Sequence, residues 1–417
     1  MQALMVVPEL QVLRQLGSPE EVLMKEVAGV PLLLRVVATA MRAGVTDLLL
    51  VWPADVDISI WDACRASPIL RDMRSPDICS FLFDPRKGSS WAAFASVLRD
   101  EFLWLPWNFV TNTRTLASIE RSPVLPLSWD RPILITKPQV VRGPRAGVTS
   151  SPEVQGVSIQ SPKDIGEAER FLVRKSGKPT DGMYSTFNRT LCRPAVRILA
   201  HTTVTPNAVT IAGLLIAVLS ALMYSRGSYW NYVAGALLFF ISGLVDEMDG
   251  MIARLKFRES AFGTWFEGFV DNATYLLLFG GITAGLYRQR GKAELIWGVA
   301  LVVGCALSSL VVAAQRKVIA PASRPHEYSA RMSRLMETDP HWISRAVRQV
   351  HIFIKKGVAV HYVVIFTVIG ALPLFTRIAA IAAQLTWTLA LFFMGRFTNG
   401  SRTVSIGSSS PQCKGVL

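Results

Sequence analysis

Six carboxylates crowd the stretch "LVDEMDGMIARLKFRESAFGTWFEGFVD": Asp246, Glu247, Asp249, Glu259, Glu267 and Asp271. It lies among apolar runs long enough to cross a bilayer, where ionised side chains are costly and usually functional. Asp246 and Asp249 are three residues apart and Glu267 and Asp271 four apart, so on helices each pair shares a face. A short connection makes the two helices antiparallel neighbours, and the pairs can then converge. Four converging carboxylates repel one another unless a cation lies between them. All-oxygen donors suit magnesium or manganese, and two such ions can clamp phosphates and stabilise attacking and leaving oxygens. Gly250 and Gly263 leave room for close approach, and Arg254, about two turns past Asp246, could bind phosphate or neutralise the acids. On spacing alone two other readings stay open. Solvated helix ends fit Glu247 and Glu259 better than the aligned four, and an ion pathway would also use intramembrane acids.

The elements that must position these acids follow from the apolar pattern. Hydrophobic residues make up 51% of the 417 residues, and mean hydropathy is +0.35. The excess lies beyond residue 204 and predicts six membrane-spanning helices at about 206–225, 230–252, 264–286, 294–315, 357–376 and 378–396. A tight hairpin at Pro373–Arg377 is expected between the last two. "STFNRTLCRPAVRILAHT" (185–202) spaces Arg189, Arg193 and Arg197 four apart beside Phe187, Leu191, Ile198 and Leu199. It reads as an interfacial helix with arginines toward headgroups.

Six spans place both termini on one side. Loop 316–356 holds nine Lys and Arg, and "RLKFR" (254–258) adds three, against Arg226, Arg288, Arg290, Lys292 and Arg377 opposite. The asymmetry places the termini and the acidic cluster on the cytoplasmic face of an inner or plasma membrane. The amino terminus lacks the basic start and apolar core of a signal peptide, in keeping with a cytoplasmic first domain. A net charge of +14 fits nucleic acid, an anionic membrane or a phosphorylated substrate. With spans present, headgroups and topology account for it, and no nucleic-acid partner is expected. The five cysteines contain no C-x-x-C pair and imply neither a disulfide framework nor a zinc site. His326, His341, His351 and His361 have no convincing ligand spacing.

Residues 1–175 read as an α/β domain. "ALMVV" (3–7), "TDLLLVWP" (46–53) and "RPILITK" (131–137) are strand-like. "PLLLRVVATAMRAGV" (31–45) is helical, 89–112 is helix then strand, and "SPKDIGEAERFLVRK" (161–175) is a helix with a Ser cap. The stretch 141–156 reads as a loop, 175–182 as a linker and the tail 398–417 as disordered.

The acidic pattern resembles the signature of the CDP-alcohol phosphotransferases, D-x2-D-G-x2-A-R-x8-G-x3-D-x3-D. Here it reads Asp246, Asp249, Gly250, Ala253, Arg254, Gly263, Glu267 and Asp271. Only the third acid departs, Glu267 standing where the family has Asp. "TTVTPNAVT" (202–210) is similar to the family's T-P-N segment, and the resemblance covers roughly 180–397. It implies transfer of a substituted phosphate from a CDP-alcohol donor to an alcohol or phosphorylated alcohol acceptor, with release of CMP. It also implies two divalent cations, Mg or Mn, held by Asp246, Asp249, Glu267 and Asp271. Asp271 would serve as general base, and Gly250, Ala253, Arg254, Gly263, Thr205 and Asn207 would line the donor pocket. Many such enzymes dimerise through their spans, so a homodimer is an expectation. A membrane scaffold without catalysis and an ion-coupled transporter are the alternatives.

"MKEVAGVPLLLRVVATAMRAGVTDLLLV" (24–51) resembles the nucleotidyltransferase fold of sugar-phosphate and inositol-phosphate cytidylyltransferases. Such a domain fused ahead of a phosphotransferase is similar to the two-domain enzymes that make di-inositol phosphodiesters. Its chemistry reads as lost. The stretch 6–21 has one glycine where a glycine-rich phosphate loop is needed. Asn108 stands where the middle strand should end in a metal-binding Asp, and Ser158 and Gln160 replace an acidic pair. Lys25 is the one match, and the domain is expected to be structural or regulatory. The basic loop 316–356 reads mainly as a topology signal, with a pocket for a phosphorylated acceptor as the functional alternative.

Overall fold

Apolar runs of four to six residues bounded by turn residues build the sheet of the first half. The strands are β1 (Gln2–Val6), β2 (Glu26–Val27), β3 (Val30–Pro31), β4 (Asp47–Trp52), β5 (Asp77–Ser80), β6 (Glu101–Pro106), β7 (Phe109–Val110), β8 (Ile133–Thr136) and β9 (Val157–Ser158). The main sheet runs β5-β4-β1-β6-β8. β5, β4, β1 and β6 are parallel, and β8 closes the edge antiparallel to β6. Leu4, Val51, Phe102, Trp104 and Ile135 are buried together on it. Burying each such side chain contributes about 1.5–3 kcal/mol.

The helices of this half are α1 (Leu10–Leu16), α2 (Pro19–Leu23), α3 (Leu32–Arg42), α4 (Ser59–Arg65), α5 (Thr113–Ala117) and α6 (Pro162–Lys175), followed by α7 (Met183–Ala200). Ser161 and Asp164 close a capping box at the start of α6, where the sequence signals a Ser cap. The computed structural model describes residues 1–71, 77–80, 91, 96–119, 130–136, 154–177, 183–319, 331–332 and 356–406. Most of the 141–156 loop, most of the 175–182 linker, most of the basic loop with His326, His341 and His351, and the tail past Ile406 lie outside them.

The chain divides into two units. One joins 1–180 with Arg189–Pro206 and Gly250–Glu259; the other holds Asp181–Asn188, Asn207–Asp249 and Ser260–Leu417. The helices after α7 are α8 (Pro206–Ser225), α9 (Tyr229–Leu255), α10 (Ala261–Arg290), α11 (Lys292–Ile319), α12 (Lys356–Val368) and α13 (Leu372–Ile406). α11 runs along α13 and beside α10. Tyr224, Phe239, Leu278, Ile282, Val363 and Phe375 form the buried centre. Gly281 and Gly285 on α10 face the backbone of α8, where a Cβ would collide with the Ala221 and Tyr224 carbonyls. This is the small-residue contact by which apolar helices approach closely.

Six helices form among the described residues after α7, in keeping with the expected six-helix domain, and four of them are long and apolar enough to cross a membrane: α8, α10, the Lys292–Lys317 part of α11 and the Leu372–Gly395 part of α13. Some bounds differ from those expected. α9 has the length, but its last turns carry Asp246, Glu247, Asp249 and Arg254. The expected span 357–376 ends early, at Val368, because Gly370 turns the chain with φ +72°. α13 then starts at Leu372, so no hairpin forms at Pro373–Arg377 and the helix runs through 398–406 of the supposed tail. The arginines of α7 do not all face outward. Arg189 is buried and Arg197 pairs with Glu169 at 3.0 Å, while Phe187, Leu191 and Ile198 are exposed.

Gly285→Val drives side-chain atoms into the Tyr224 carbonyl. It should destabilise the helical unit by on the order of 1–3 kcal/mol, read as a lower thermal midpoint in detergent. An unchanged midpoint would contradict the close α8–α10 contact.

Candidate active site

Small residues on α8 set the geometry of the acids on α9. Gly213 lets Val245 approach, with 3.4 Å between its ideal Cβ and the valine methyl. Ser242 Oγ donates to the Gly213 carbonyl at 2.9 Å. One turn before Gly213, buried Thr210 then meets Asp249, its hydroxyl donating to Oδ2 at 2.5 Å. Asp249 itself is 3% exposed. Sequence reasoning missed Thr210; the available signal was its i+3 spacing from Asn207, which shares its helix face.

The second acid pair comes from α10, which starts at Ser260, whose hydroxyl accepts from the Gly263 amide. The Asp246 carboxylate feels the charges of Asp271, Asp249, Glu267 and Glu247, in that order. The four aligned acids therefore share one electrostatic neighbourhood across α9 and α10. Glu267 and Asp271 are partly exposed. Tyr275, one turn past Asp271, lies within reach of the charges of Asp271 and Asp246, a neighbour the sequence reading did not single out. Gly263 sits beside Asn207, whose Oδ1 would be 3.6 Å from a Cβ there, so these two residues expected in the donor pocket are adjacent.

Among the described residues no three His, Cys, Asp or Glu side chains are gathered closely enough to hold an ion. The donor set nevertheless suits one. It is all carboxylate, it is drawn from two helices, and its mutual repulsion is what a hard divalent cation neutralises.

Gly250, Ala253 and Arg254 continue α9. Gly250 makes room for the Arg254 guanidinium, which folds to 3.3 Å from where its Cβ would be, and Arg254 Nε donates to the Ser176 carbonyl. Thr205 follows Thr202 and Val204, whose carbonyls accept from Lys256 Nζ at 2.5 and 3.1 Å. Glu259 is not merely solvated, since it pairs with Arg42 at 3.0 Å. His361 packs among the rings of Tyr184, Phe187 and Phe240.

In the α/β unit, the stretch read as lacking the resembled fold's phosphate loop forms α1 and α2. A cavity of about 930 Å³ opens beside it, lined by Lys25, Trp107 and Gln160 together with Glu20, Glu26 and Glu169. Asn108 is used structurally, its Nδ2 donating to the Ile159 carbonyl at 2.8 Å.

Residues 203–393 match the sequence profile of the CDP-alcohol phosphatidyltransferase family. They form a CDP-alcohol phosphatidyltransferase domain. The chain is a membrane protein. It is similar to a bifunctional IPC transferase and DIPP synthase of Aquifex aeolicus, 30% identical over 126 residues, 28% of each chain. A protein of the same description from Thermococcus kodakarensis is 28% identical over 32% of this chain and 30% of its own. An archaetidylinositol phosphate synthase of Methanothermobacter thermautotrophicus is 36% identical over 18% of this chain and 38% of its own. The matches thus span less than two fifths of each relative's length. Within the CDP-alcohol phosphatidyltransferase domain lie all four aligned acids and Thr210.

Thr210→Val removes the hydroxyl that orients Asp249. Loss of such an outer partner typically costs ~10–100-fold in metal affinity. A titration of the full chain with Mn²⁺ should show a weakening of that order, and unaltered affinity would assign Thr210 to helix packing alone.

Proposed function

We propose that the protein transfers a substituted phosphate from a CDP-alcohol to an acceptor alcohol and releases CMP. The observation that carries this reading is that Asp246 lies within the electrostatic reach of Asp271, Asp249 and Glu267, acids drawn from two helices, inside the segment that matches the family. Asp246, Asp249, Glu267 and Asp271 would hold two divalent ions, Mg²⁺ or Mn²⁺, which would neutralise the acids and the diphosphate and act as Lewis acids there. Asp271 takes the proton of the acceptor hydroxyl. The acceptor oxygen bonds to the phosphorus bearing the donor's alcohol, the bond from that phosphorus to the bridging oxygen breaks, and CMP leaves. Gly250, Ala253, Arg254, Gly263, Thr205 and Asn207 shape the donor pocket.

The names of the relatives favour an inositol-containing substrate, with an inositol phosphate or a related phosphorylated alcohol as acceptor. Exposed Trp265, Phe262 and Phe269 on α10 suit an interfacial aromatic belt at the level of Glu267. With the lysine and arginine asymmetry, this supports a multi-pass protein whose acids open to the cytoplasmic interface.

The α/β domain makes no nucleotide in this reading. The cavity beside Lys25 is lined by several carboxylates, which repel a triphosphate, and Asn108, Ser158 and Gln160 supply no acid for a metal. Full-length protein given CTP and an inositol phosphate should form no CDP-alcohol. Any CTP-dependent CDP-alcohol would overturn this assignment.

Purified protein with a panel of CDP-alcohols and acceptors should release CMP only with Mg²⁺ or Mn²⁺, and Asp271→Asn should abolish it. Glu267 carries one methylene more than the family's Asp, a displacement of ~1 Å that can cost about a hundredfold. Glu267→Asp should therefore match or exceed wild-type turnover. CMP from neither protein would favour a membrane scaffold.

A further inference from the structure

The carboxyl end of α9 is held in an uncommon way. Its last turn closes through Arg258 N–H to the Ala253 carbonyl at 2.8 Å and Phe257 N–H to the Arg254 carbonyl at 3.4 Å. In this type of stop the left-handed residue is usually glycine. Here it is Phe257, with φ +55°, a conformation rare for a bulky side chain.

Two arginines of α3 grip that residue. The Arg35 and Arg42 guanidinium carbons lie 5.3 and 5.0 Å from the Phe257 ring centroid, within cation–π range. Arg42 Nη2 donates to the Phe257 carbonyl at 2.7 Å, and its Nη1 pairs with Glu259. Arg35 is 2% exposed. Its Nη2 donates to the Leu255 carbonyl at 2.8 Å, while Nε and Nη2 bind the Val27 and Ala28 carbonyls of the β2–β3 hairpin at 2.8 and 3.3 Å. Burial lowers its pKa to about 9, with the Glu169 carboxylate opposing the shift. Strained backbone over-determined by its surroundings points to a functional constraint. The constrained residue lies just past Arg254 and the last residue, Leu255, of the helix that carries Asp246 and Asp249.

We infer that Arg35 and Arg42, clasping Phe257, are positioning residues for phosphotransfer. They fix the end of the acid-bearing helix, so the α/β domain acts as a brace for that helix. The inference rests on the transferase reading above, because a brace serves catalysis only if the acids are catalytic. Without the clasp the last turn frays, and Gly250 and Arg254 lose their place; misplacement on the ångström scale costs up to about a hundredfold in rate.

Arg35→Met tests this, since it keeps much of the apolar stem while the guanidinium donors to the Val27, Ala28 and Leu255 carbonyls are lost. Arg35→Lys restores a cation and a donor. Phe257→Gly gives the left-handed site its favoured residue but removes the ring. In full-length protein, hydrogen exchange at amides 254–258 should rise at least about tenfold in Arg35→Met and Phe257→Gly. CMP release should fall by on the order of tenfold, and Arg35→Lys should recover part of both. Wild-type exchange in Arg35→Met, or wild-type turnover despite faster exchange, overturns the inference. CMP release by the unaltered protein judges the transferase reading separately, because the exchange measurement needs no turnover.

Discussion

Four carboxylates on adjoining turns of α9 and α10 repel one another, and that repulsion is the constraint to which the helical unit answers. Asp246 feels the charges of the other three aligned acids, and Asp249 is almost wholly buried. Buried charge is among the costliest features a fold can carry and needs hydrogen bonds or a counter-charge. Thr210 offsets part of it with a short hydrogen bond to Asp249. In the proposed reading, a hard divalent ion held by these acids would neutralise the remaining repulsion.

Holding the acids in register takes close helix packing. Gly213 admits Val245, while Gly281 and Gly285 admit the α8 backbone. In an apolar solvent such packing replaces the hydrophobic effect as the source of helix association. At the other end, residues Gly250–Glu259 belong with the α/β unit, where Arg35, Arg42 and Arg254 bind carbonyls or ring faces. In the proposed reading, in which the α/β domain makes no nucleotide, the domain keeps its fold because this helix end needs it.

The acid spacing was legible in sequence because helical periodicity turns i+3 and i+4 into shared faces. The centre of the sheet was legible because β1, β4 and β6 are apolar runs, as buried parallel strands are. Thr210, Tyr275 and the Arg35–Phe257–Arg42 clasp were not, since each depends on contacts between residues distant in sequence: 39 positions separate Thr210 from Asp249, and 220 separate Arg35 from Leu255. The span boundaries failed for a local reason. Hydropathy is continuous across Gly370, but the backbone turns there with positive φ, and the helix restarts at Leu372. Glu259 read as a solvated acid because its partner, Arg42, is far away in the chain.

The most direct measurement is Mn²⁺ binding by electron paramagnetic resonance on the full-length protein with CDP present. The account predicts bound, magnetically coupled Mn²⁺ in the wild type and its loss in both Asp246→Asn and Asp271→Asn, one from each helix. Binding that survives both substitutions, or no binding by the wild type, would contradict it.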